Sequence, residues 1–512
     1  MFIDGRSIPA KTRLETDLAI IGAGAAGITL ARALRGAGFR ITLIESGGLE
    51  FDEDTQVLYD GESDGIEYNL DTARLRYFGG STNHWGGWCR PLEAIDFERR
   101  AWVAHSGWPI SRADVDPYYL EAQKICQLGP FDYDDPETWS DQGTLQPMAL
   151  PGGAVETRFF QYSPPTRFGE VYRDDIGGAD NIQTLLHTNL VEIEASGNAS
   201  EVTGLKLATL EGNRFHLTAK FYVLATGGIE NARLLLLSNS TVPAGLGNQN
   251  DLVGRFFMEH PIVPLVGQIV AAPPEAVARY YHGYTEMNGA MIRGCLMFSA
   301  DYLRRVEGLA TIFTFSPQSQ IEPPIQNSAA APAPAPTNGV APLERELLTL
   351  LDQAPHETGT RYVMGCGTEQ APNPESRVTL SGDKDALGLP RTKLAWRLTA
   401  QDRHSLRRNL ETFARAIGGW GKGRVRVNFA DADRWDEVDQ WAHHHMGTTR
   451  MSDDPKQGVV DAQGKVHGTA NLYIAGSSLF PTAGGASNPT LTIVALTLRL
   501  ADHLKTVFER NG

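Results

Sequence analysis

The sequence predicts an α/β fold, α+β overall, in which a Rossmann-like domain is joined to a second domain built on an antiparallel sheet. A glycine-rich turn at residues 22–27 lies between an apolar strand pattern and a helix pattern, which predicts a βαβ unit. Residues 202–210 and 214–223 are separated by a short polar turn and predict a β-hairpin. At 512 residues the chain is too long for one compact core, so we expect at least two domains.

Composition and charge exclude several classes of partner. The chain is 41% hydrophobic and 21% charged, as expected of a globular protein. Its net charge of −15 and pI of about 5.4 give no basic footprint for nucleic acid or anionic lipid. The four cysteines are far apart and form no CxxC pair, which argues against a disulfide framework, a zinc site or an iron–sulfur cluster. We therefore expect buried or incidental thiols and no bound metal.

The sequence contains no targeting or membrane signal that we can identify. Residues 1–16 have no basic stretch followed by an apolar one, and no uncharged apolar run reaches the length of about 18 residues that a membrane helix needs. We expect a cytoplasmic protein without a membrane span. Export together with a partner subunit stays open.

The turn at Gly22, Gly24 and Gly27 has the spacing of a dinucleotide-binding loop. The first glycine allows the tight turn, the second lets a pyrophosphate approach the backbone, and the third allows close packing of the helix. The next predicted strand ends at Glu45, 18 residues beyond Gly27, where a carboxylate can accept hydrogen bonds from ribose hydroxyls. Such a turn can be purely structural, but strand, helix and acid together favour a bound dinucleotide.

A second loop of small residues, 78–87, contains Gly80, Ser81, Asn83 and His84. Its glycines let the backbone lie against a flat ligand. A histidine among such small residues has little apolar surface to join. We therefore expect this loop to contact the flat part of a cofactor.

Two segments near the C-terminus carry the clearest family resemblance. Residues 444–451 (HHMGTTRM) and 488–492 (NPTLT), taken with the N-terminal glycine turn, resemble the two ends of a glucose–methanol–choline (GMC) flavin oxidoreductase. In that family the first segment supplies the catalytic histidine and the second supplies its Asn or His partner. The resemblance implies FAD as the cofactor and removal of a hydride from an alcohol carbon.

The resemblance assigns the proton chemistry to His444 and Asn488. Hydride transfer needs electron density on the alcohol oxygen, and a neutral imidazole has the basicity to take the hydroxyl proton near pH 7. Asn488 can donate a hydrogen bond to the same oxygen. Asn488 could also cap the helix that follows Pro489, and the two roles are compatible. Residues 443–445 could alternatively be a solvated or adventitious metal-binding run, but we expect His443 and His445 to be dispensable by comparison with His444.

Several cofactor contacts are also implied by the resemblance. The loop around His84 resembles the flavin-attachment loop of pyranose 2-oxidase and, more loosely, that of choline oxidase, in which a histidine is joined to the flavin 8α-methyl carbon. This implies covalent FAD through His84, with noncovalent packing of His84 as the alternative. Residues 225–227 (ATG) resemble the second glycine segment of such flavoproteins, which implicates Thr226 and Gly227.

The chain departs from the family where many members have Asp-Ala-Ser before Phe-Pro. It has Gly476-Ser477-Ser478 there, so we expect backbone amides and hydroxyls of Gly476 and Ser477 to contact FAD. Pro489 and Thr490, at the start of the last predicted helix, are expected to direct its positive end toward the flavin.

A further family motif lies in the middle of the chain. Residues 254–261 match the G-R-x-x-x-x-H-P pattern of the family, which contains His260. A single histidine before a proline is more often structural than catalytic, so we expect a structural role for His260.

The positions of the motifs predict a discontinuous FAD-binding domain, because they occur at the start, middle and end of the chain. Its predicted pieces are residues 1–100, 180–262 and 436–512. The predicted substrate-binding domain over the open face of the flavin consists of residues 101–179 and 263–435. Within it, the Pro/Ala-rich residues 317–342 predict an extended loop, either a surface insertion or a lid or docking segment, followed by a short helix at 343–351.

The resemblance to pyranose 2-oxidase and to bacterial glycoside 3-oxidising enzymes implies a substrate class. We expect oxidation of a secondary alcohol of a sugar or glycoside, at C2 or C3, to a keto-sugar. Oxygen, a quinone or a redox protein would accept the electrons, and the sequence does not separate oxidase from dehydrogenase. A nonsugar primary or aryl alcohol is the alternative substrate. A noncatalytic flavin-binding subunit of a larger complex is an alternative of another class, which the presence of both His444 and Asn488 disfavours.

Overall fold

The computed structural model describes residues 1–139, 146–317, 360–428, 442–485 and 487–511, whose strands form four sheets. The first is a six-stranded parallel sheet. Its strands, numbered along the chain, are β1 (Phe2–Asp4), β3 (Leu18–Ile21), β4 (Ile41–Ile44), β8 (Ile182–Leu186), β12 (Phe221–Leu224) and β21 (Leu472–Ile474). Their spatial order is β1-β8-β4-β3-β12-β21. Strands β3 and β4 are buried at every position, as expected of a parallel sheet covered on both faces.

The second sheet is antiparallel and has eight strands. They are β6 (Trp88–Cys89), β7 (Val155–Tyr162), β13 (Ile262–Ala271), β14 (Thr285–Met287), β15 (Ala290–Phe298), β16 (Thr311–Pro317), β17 (Thr360–Thr368) and β20 (Gly423–Val427). Their order is β20-β13-β17-β16-β15-β7-β6, with β14 paired to β15. The predicted combination of a Rossmann-like parallel sheet and an antiparallel sheet is confirmed.

Two smaller sheets complete the strands. One contains β2 (Arg13–Glu15), β9 (Asn189–Ala195), β10 (Val202–Ala208) and β11 (Arg214–Thr218). The other contains β5 (Gly61–Gly65), β18 (Arg377–Lys384) and β19 (Pro390–Trp396). The predicted hairpin is confirmed as the antiparallel pair β10–β11, but its second arm ends at Thr218. The following apolar residues instead form β12, which lies buried between β3 and β21 in the parallel sheet.

Helices cover the sheets. The described α-helices are α1 (Ala25–Ala33), α2 (Glu53–Gln56), α3 (Ala94–Phe97), α4 (Asp116–Ile125), α5 (Phe168–Val171), α6 (Arg173–Gly177), α7 (Gly227–Leu237), α8 (Ala300–Val306), α9 (Ala400–Trp420) and α10 (Thr490–Asn511). Short 3-10 helices span Gly5–Ser7, Val57–Tyr59, Gly80–Asn83, Arg112–Asp114, Pro274–Ala276, Arg279–Tyr281 and Ser477–Leu479. Helices α1 and α10 pack together, and α9 covers one face of the antiparallel sheet, where the Phe313 and Phe413 rings stack 4.0 Å apart.

Some predictions fall outside the described residues. These are the Pro/Ala-rich loop at 317–342, apart from Pro317 at the end of β16, and the short helix at 343–351. In the described ranges, no helix has both the length and the apolar character that crossing a bilayer requires. All four cysteines are buried and carry free thiols.

Candidate active site

The glycine turn between β3 and α1 is held by close backbone contacts. Gly22 has φ +100°, and a Cβ there would lie 2.6 Å from the carbonyl oxygen of Ala225. A Cβ on Gly27 would lie 1.8 Å from the carbonyl oxygen of Gly22, so only glycine lets the helix approach the turn this closely. Around Gly24 the nearest atom to such a Cβ is 4.0 Å away, which leaves its surface open.

One cavity, about 280 Å³ in volume, brings most of the predicted site residues together. The predicted residues that line it are Gly22, Gly24, Glu45, Gly80, Ser81, His84, Thr226, Gly227, His444, Gly476, Ser477, Asn488, Pro489 and Thr490. The structure does not bring Gly27 or Asn83 to the cavity wall. Gly27 packs against the turn, and the Asn83 amide donates to the carbonyl of Phe78 at 2.9 Å. In this structure the contacts of both residues are with the loops themselves.

Glu45 lies at the end of β4 and holds the glycine turn by hydrogen bonds. Its Oε2 accepts from the backbone N–H of Ala23 at 2.9 Å, and its Oε1 accepts from that of Gly47 at 3.0 Å. Burial raises the pKa of this carboxyl group. Two carboxylate oxygens offer about four acceptor positions, so some remain for the hydroxyls of a ribose.

Arg74 and Glu230 line the same cavity and were missed by the sequence analysis. Both are buried, and Arg74 Nη1 lies 3.6 Å from Glu230 Oε2. Burial opposes ionisation of Glu230, but Arg233, Arg76 and Arg74 outweigh it and lower its pKa to about 2. The sequence did not indicate that these two charged residues would meet at the cavity, because Arg74 lies in a stretch without a cofactor motif.

The lining fits FAD. The two terminal nitrogens of Arg74 and Oε2 of Glu230 are buried but make no hydrogen bond to any part of the chain that the structure describes. Such polar atoms need partners that a polar ligand in the cavity can supply. At Gly227 a Cβ would meet nothing within 4 Å, so glycine keeps space free at the start of α7, where backbone N–H groups can receive an anion.

The loop that carries His84 places this side chain on the cavity wall. Gly79, Gly80 and Gly87 adopt positive φ values of 100°, 53° and 75°, which non-glycine residues rarely adopt. The imidazole of His84 lies nearly parallel to that of His443, with 6.3 Å between ring centroids. Burial, together with His443 and Arg167, lowers the pKa of His84 to about 4, so the ring is neutral near pH 7.

His444 and Asn488 meet at the cavity wall. The Asn488 Nδ2 atom lies 3.0 Å from His444 Nε2. The Asn488 Oδ1 atom accepts from the backbone N–H of Thr490 at 2.9 Å, which is the capping interaction expected at the start of α10. Asn488 therefore caps a helix and contacts His444 with the same amide group.

His260 is a third residue that the sequence analysis did not assign to the site. Its Nδ1 lies 2.8 Å from His444 Nδ1, and its Nε2 lies 3.0 Å from the carbonyl oxygen of Ala483 and 3.2 Å from that of Gly484. The imidazole is fully buried. The G-R-x-x-x-x-H-P motif was the available signal, but it did not indicate which residue His260 would contact.

Glu259 holds the backbones of both histidines. Its Oε1 accepts from the N–H of His260 at 3.0 Å and from the N–H of His444 at 2.8 Å, while its Oε2 accepts from the hydroxyl of Tyr68 at 3.0 Å. Burial raises the pKa of Glu259 to about 8. The Tyr68 oxygen also lies 2.6 Å from His445 Nε2, so His445 is part of the structural frame around His444.

One face of the antiparallel sheet lies next to Gly485, three residues before Asn488. Trp88 packs on this face with Phe160, Met297 and neighbouring residues. A Cβ on Gly485, next to the carbonyl that contacts His260, would lie 3.0 Å from the Met297 methyl carbon. Nε1 of Trp88 and Nε of Arg293 are buried on this face without a hydrogen-bond partner among the described residues.

Comparison with known proteins shows which family the C-terminal part of the chain resembles. Residues 372–497 match the sequence profile described as GMC oxidoreductase. The chain is 26% identical to 2-methyl-1,2-propanediol dehydrogenase of Mycolicibacterium austroafricanum, over 97% of this chain and 96% of that protein. It is 29% identical to the fructose dehydrogenase large subunit of Gluconobacter japonicus, over 59% of this chain and 50% of that protein.

The fold is similar to a solved structure of formate oxidase. The TM-score is 0.59 at 16% sequence identity, with 98% of this chain and all of that chain covered. This likeness bears on the fold alone. The chain is therefore similar to the GMC oxidoreductases in residues 372–497, and with the cavity described above it is an FAD-dependent alcohol oxidoreductase.

Proposed function

We propose that the protein oxidises a secondary hydroxyl of a sugar or glycoside, at C2 or C3, to a ketone. The contact between His444 and Asn488 at the cavity wall carries this proposal. Both side chains line the cavity, and His444 Nε2 lies 3.0 Å from Asn488 Nδ2. An alcohol oxygen that contacts both atoms would be held between a base and a hydrogen-bond donor.

The two side chains divide the proton chemistry. His444 Nε2 takes the hydroxyl proton as the O–H bond breaks, and Asn488 Nδ2 donates a hydrogen bond to the same oxygen. Bound FAD would supply the hydride acceptor, so that the C–H bond breaks with its electron pair and the C=O bond forms. The electrons would then pass to oxygen, a quinone or a redox protein.

The sheet face that carries Trp88, next to Gly485, supports a sugar as substrate. An indole ring offers a flat apolar surface to a sugar ring, and the buried N–H groups of Trp88 and Arg293 are donors without partners among the described residues. The similarity to the large subunit of a fructose dehydrogenase points in the same direction.

A nonsugar alcohol is the second candidate substrate. The observation that favours it is the similarity to a 2-methyl-1,2-propanediol dehydrogenase, which extends over 97% of this chain. The His444–Asn488 pair would act on such an alcohol in the same way, so this candidate changes the substrate and not the chemistry.

We also propose that FAD is attached covalently through His84. Covalent attachment needs a ring nitrogen with a free electron pair beside the flavin. His84 lies on the cavity wall, its pKa is lowered to about 4, and its ring makes no hydrogen bond to the residues that the structure describes. A cytoplasmic location and the division into two domains at the ranges given above stay predictions.

A substrate screen tests the proposed function. The purified flavoprotein would be given pyranoses, glycosides, aliphatic diols and aryl alcohols, with dichlorophenolindophenol or oxygen as the acceptor. We expect turnover of pyranoses or glycosides, with NMR of the product showing a ketone at C2 or C3. Turnover of diols or aryl alcohols alone would overturn the sugar proposal and leave the alcohol chemistry in place. An aldehyde product from a sugar would move the site of oxidation to a primary hydroxyl.

A further inference from the structure

We infer that His260 is a positioning residue that fixes the proton of neutral His444 on Nδ1 and so keeps Nε2 free to act as the base. This inference rests on the proposed role of His444. A neutral imidazole can carry its proton on either nitrogen, and only one of the two forms presents a lone pair at Nε2. The hydrogen bonds around the two rings select that form.

Thr490, Asn488, His444 and His260 form a chain of hydrogen bonds, and the contacts at its cavity end show which atoms donate. The backbone N–H of Thr490 can only donate, so the Asn488 atom that faces it at 2.9 Å is the amide oxygen. The NH₂ group of Asn488 therefore faces His444 Nε2 at 3.0 Å. Because an amide NH₂ can only donate, Nε2 must be the acceptor, and the proton of His444 lies on Nδ1.

The contacts of His260, at the buried end of this chain of hydrogen bonds, independently place the proton of His444 on Nδ1. The carbonyl oxygens of Ala483 and Gly484 can only accept, so His260 Nε2, which lies 3.0 and 3.2 Å from them, carries a proton. Burial lowers the pKa of His260 to about 4, which keeps the ring neutral near pH 7. Its Nδ1 is then an acceptor for the N–H of His444 Nδ1, at 2.8 Å.

The residues around the two imidazole rings restrict their movement, so the two rings keep this pattern of hydrogen bonds. Glu259 Oε1 accepts from the backbone N–H groups of both His260 and His444, which fixes their relative position. The rings cross at 87° with 5.0 Å between centroids. His260 is fully buried, so water cannot take its place as the acceptor for His444 Nδ1.

Loss of the acceptor at His260 should therefore misplace a proton. His444 would either keep an unpaired N–H in a buried position or move the proton to Nε2, where it would point at Asn488 and at the substrate hydroxyl. Neither form can remove the substrate proton efficiently. In serine proteases, a catalytic histidine held in the wrong tautomer lowers kcat by about 10⁴-fold. A decrease of about 10²-fold or more in the rate of flavin reduction is therefore a conservative expectation.

Two amide substitutions separate this role from a packing role. In His260→Asn the amide oxygen can lie where Nδ1 was and accept from His444. In His260→Gln the amide reaches the position of Nε2, so it can donate to the carbonyls but offers His444 no acceptor. We expect flavin reduction by the substrate to slow by about 10²-fold or more in His260→Gln and by no more than about tenfold in His260→Asn. Equal rates in the two variants, or the reverse order, would overturn the inference.

A second measurement does not depend on turnover. NMR of protein labelled with nitrogen isotope in histidine, with His444→Ala used to assign the signals, reports which ring nitrogen carries the proton. We expect a protonated Nδ1 and an unprotonated Nε2 for His444 in the wild type and in His260→Asn, and a loss of that preference in His260→Gln. A wild-type His444 protonated on Nε2 would refute the inference. If instead flavin reduction in His444→Ala proceeds at the wild-type rate, the proposed function fails. The NMR measurement of the His444 tautomer remains a separate test of the inference about His260.

Discussion

The guanidinium of Arg74 lies 3.6 Å from Oε2 of Glu230 in the wall of the flavin cavity. Both groups are buried, and the terminal nitrogens of Arg74 and that oxygen make no hydrogen bond within the described ranges. A buried charged group without hydrogen-bond partners is costly. We therefore expect bound FAD to complete the polar contacts of Arg74.

Arg74→Met should weaken FAD binding while the chain still folds. A hydrogen bond to a charged group contributes about 1.5–3 kcal/mol, which corresponds to about 10–100-fold in Kd. The measurement is a titration of apoprotein with FAD in a His84→Ala background, where the cofactor can exchange. Arg35→Met is the matched control, because the Arg35 side chain is 53% exposed and pairs only with Asp175 among the described residues. Equal affinities in the two variants would contradict the role of Arg74.

The sequence predicted the parts of the site that are continuous along the chain. The turn from β3 into α1 and the acid at Glu45 follow from spacing within one βαβ unit. His260 could not be placed, since its contact with His444 joins residues 184 positions apart. The second arm of the hairpin was predicted too long because an apolar strand pattern does not tell which sheet will bury residues 221–224. Asn83 was predicted to contact the cofactor because of its motif, whereas its side-chain amide donates a hydrogen bond to the carbonyl of Phe78 in the same loop.

Covalent attachment of FAD can be tested by denaturation. If His84 is bonded to the flavin, acid precipitation should keep the yellow colour with the protein pellet. His84→Ala should release its flavin into the supernatant, while the turn at residues 22–27 still binds FAD in the folded protein. This variant should also react more slowly, because loss of the bond lowers the reduction potential of the flavin. Release of all the colour from the wild-type protein would show that the attachment does not exist.

Loss of the base should slow flavin reduction without loss of cofactor. We expect His444→Ala to reduce the rate of flavin reduction by substrate at least about a hundredfold, because the group proposed to take the hydroxyl proton is lost. The rate is measured in a stopped-flow instrument without oxygen, and FAD content is measured from flavin absorbance. His216→Ala, a half-exposed histidine on β11, is the control for the loss of an imidazole. A near wild-type rate in His444→Ala would mean that another group is the base.

The pH dependence of flavin reduction should report the shifted pKa of His444. Burial, followed by the neighbouring His260, His445 and His443, lowers the pKa of His444 well below its usual 6.5. A base works in its unprotonated form, so a lowered pKa moves the acid limb of the rate profile to lower pH. We expect the rate to be flat from about pH 8 to about pH 6.5 and to fall only at lower pH. A rate that has already halved at pH 6.5 would contradict the assignment.

The buried carboxyl group of Glu259 should make the stability of the protein fall as the pH rises. Its folded-state pKa is raised by burial from 4.5 to about 8, so between these values the folded chain keeps a proton that the unfolded chain releases. The stabilising effect of the protonated group is therefore complete below pH 4.5 and is lost progressively as the pH rises through the folded-state value.

Glu259→Gln removes this titration and keeps an amide oxygen that can accept from His260 and His444. The Tm of the variant minus that of the wild type should increase between about pH 5 and pH 8 and then become constant. Other buried acids, such as Asp96 with a pKa raised to about 7 and Asp402 with a pKa raised to about 6, titrate in both proteins and cancel in the difference. Thermal unfolding across this pH range measures the difference. A constant difference would mean that Glu259 is ionised in the folded protein, with its charge stabilised by the three hydrogen bonds it accepts from Tyr68, His260 and His444.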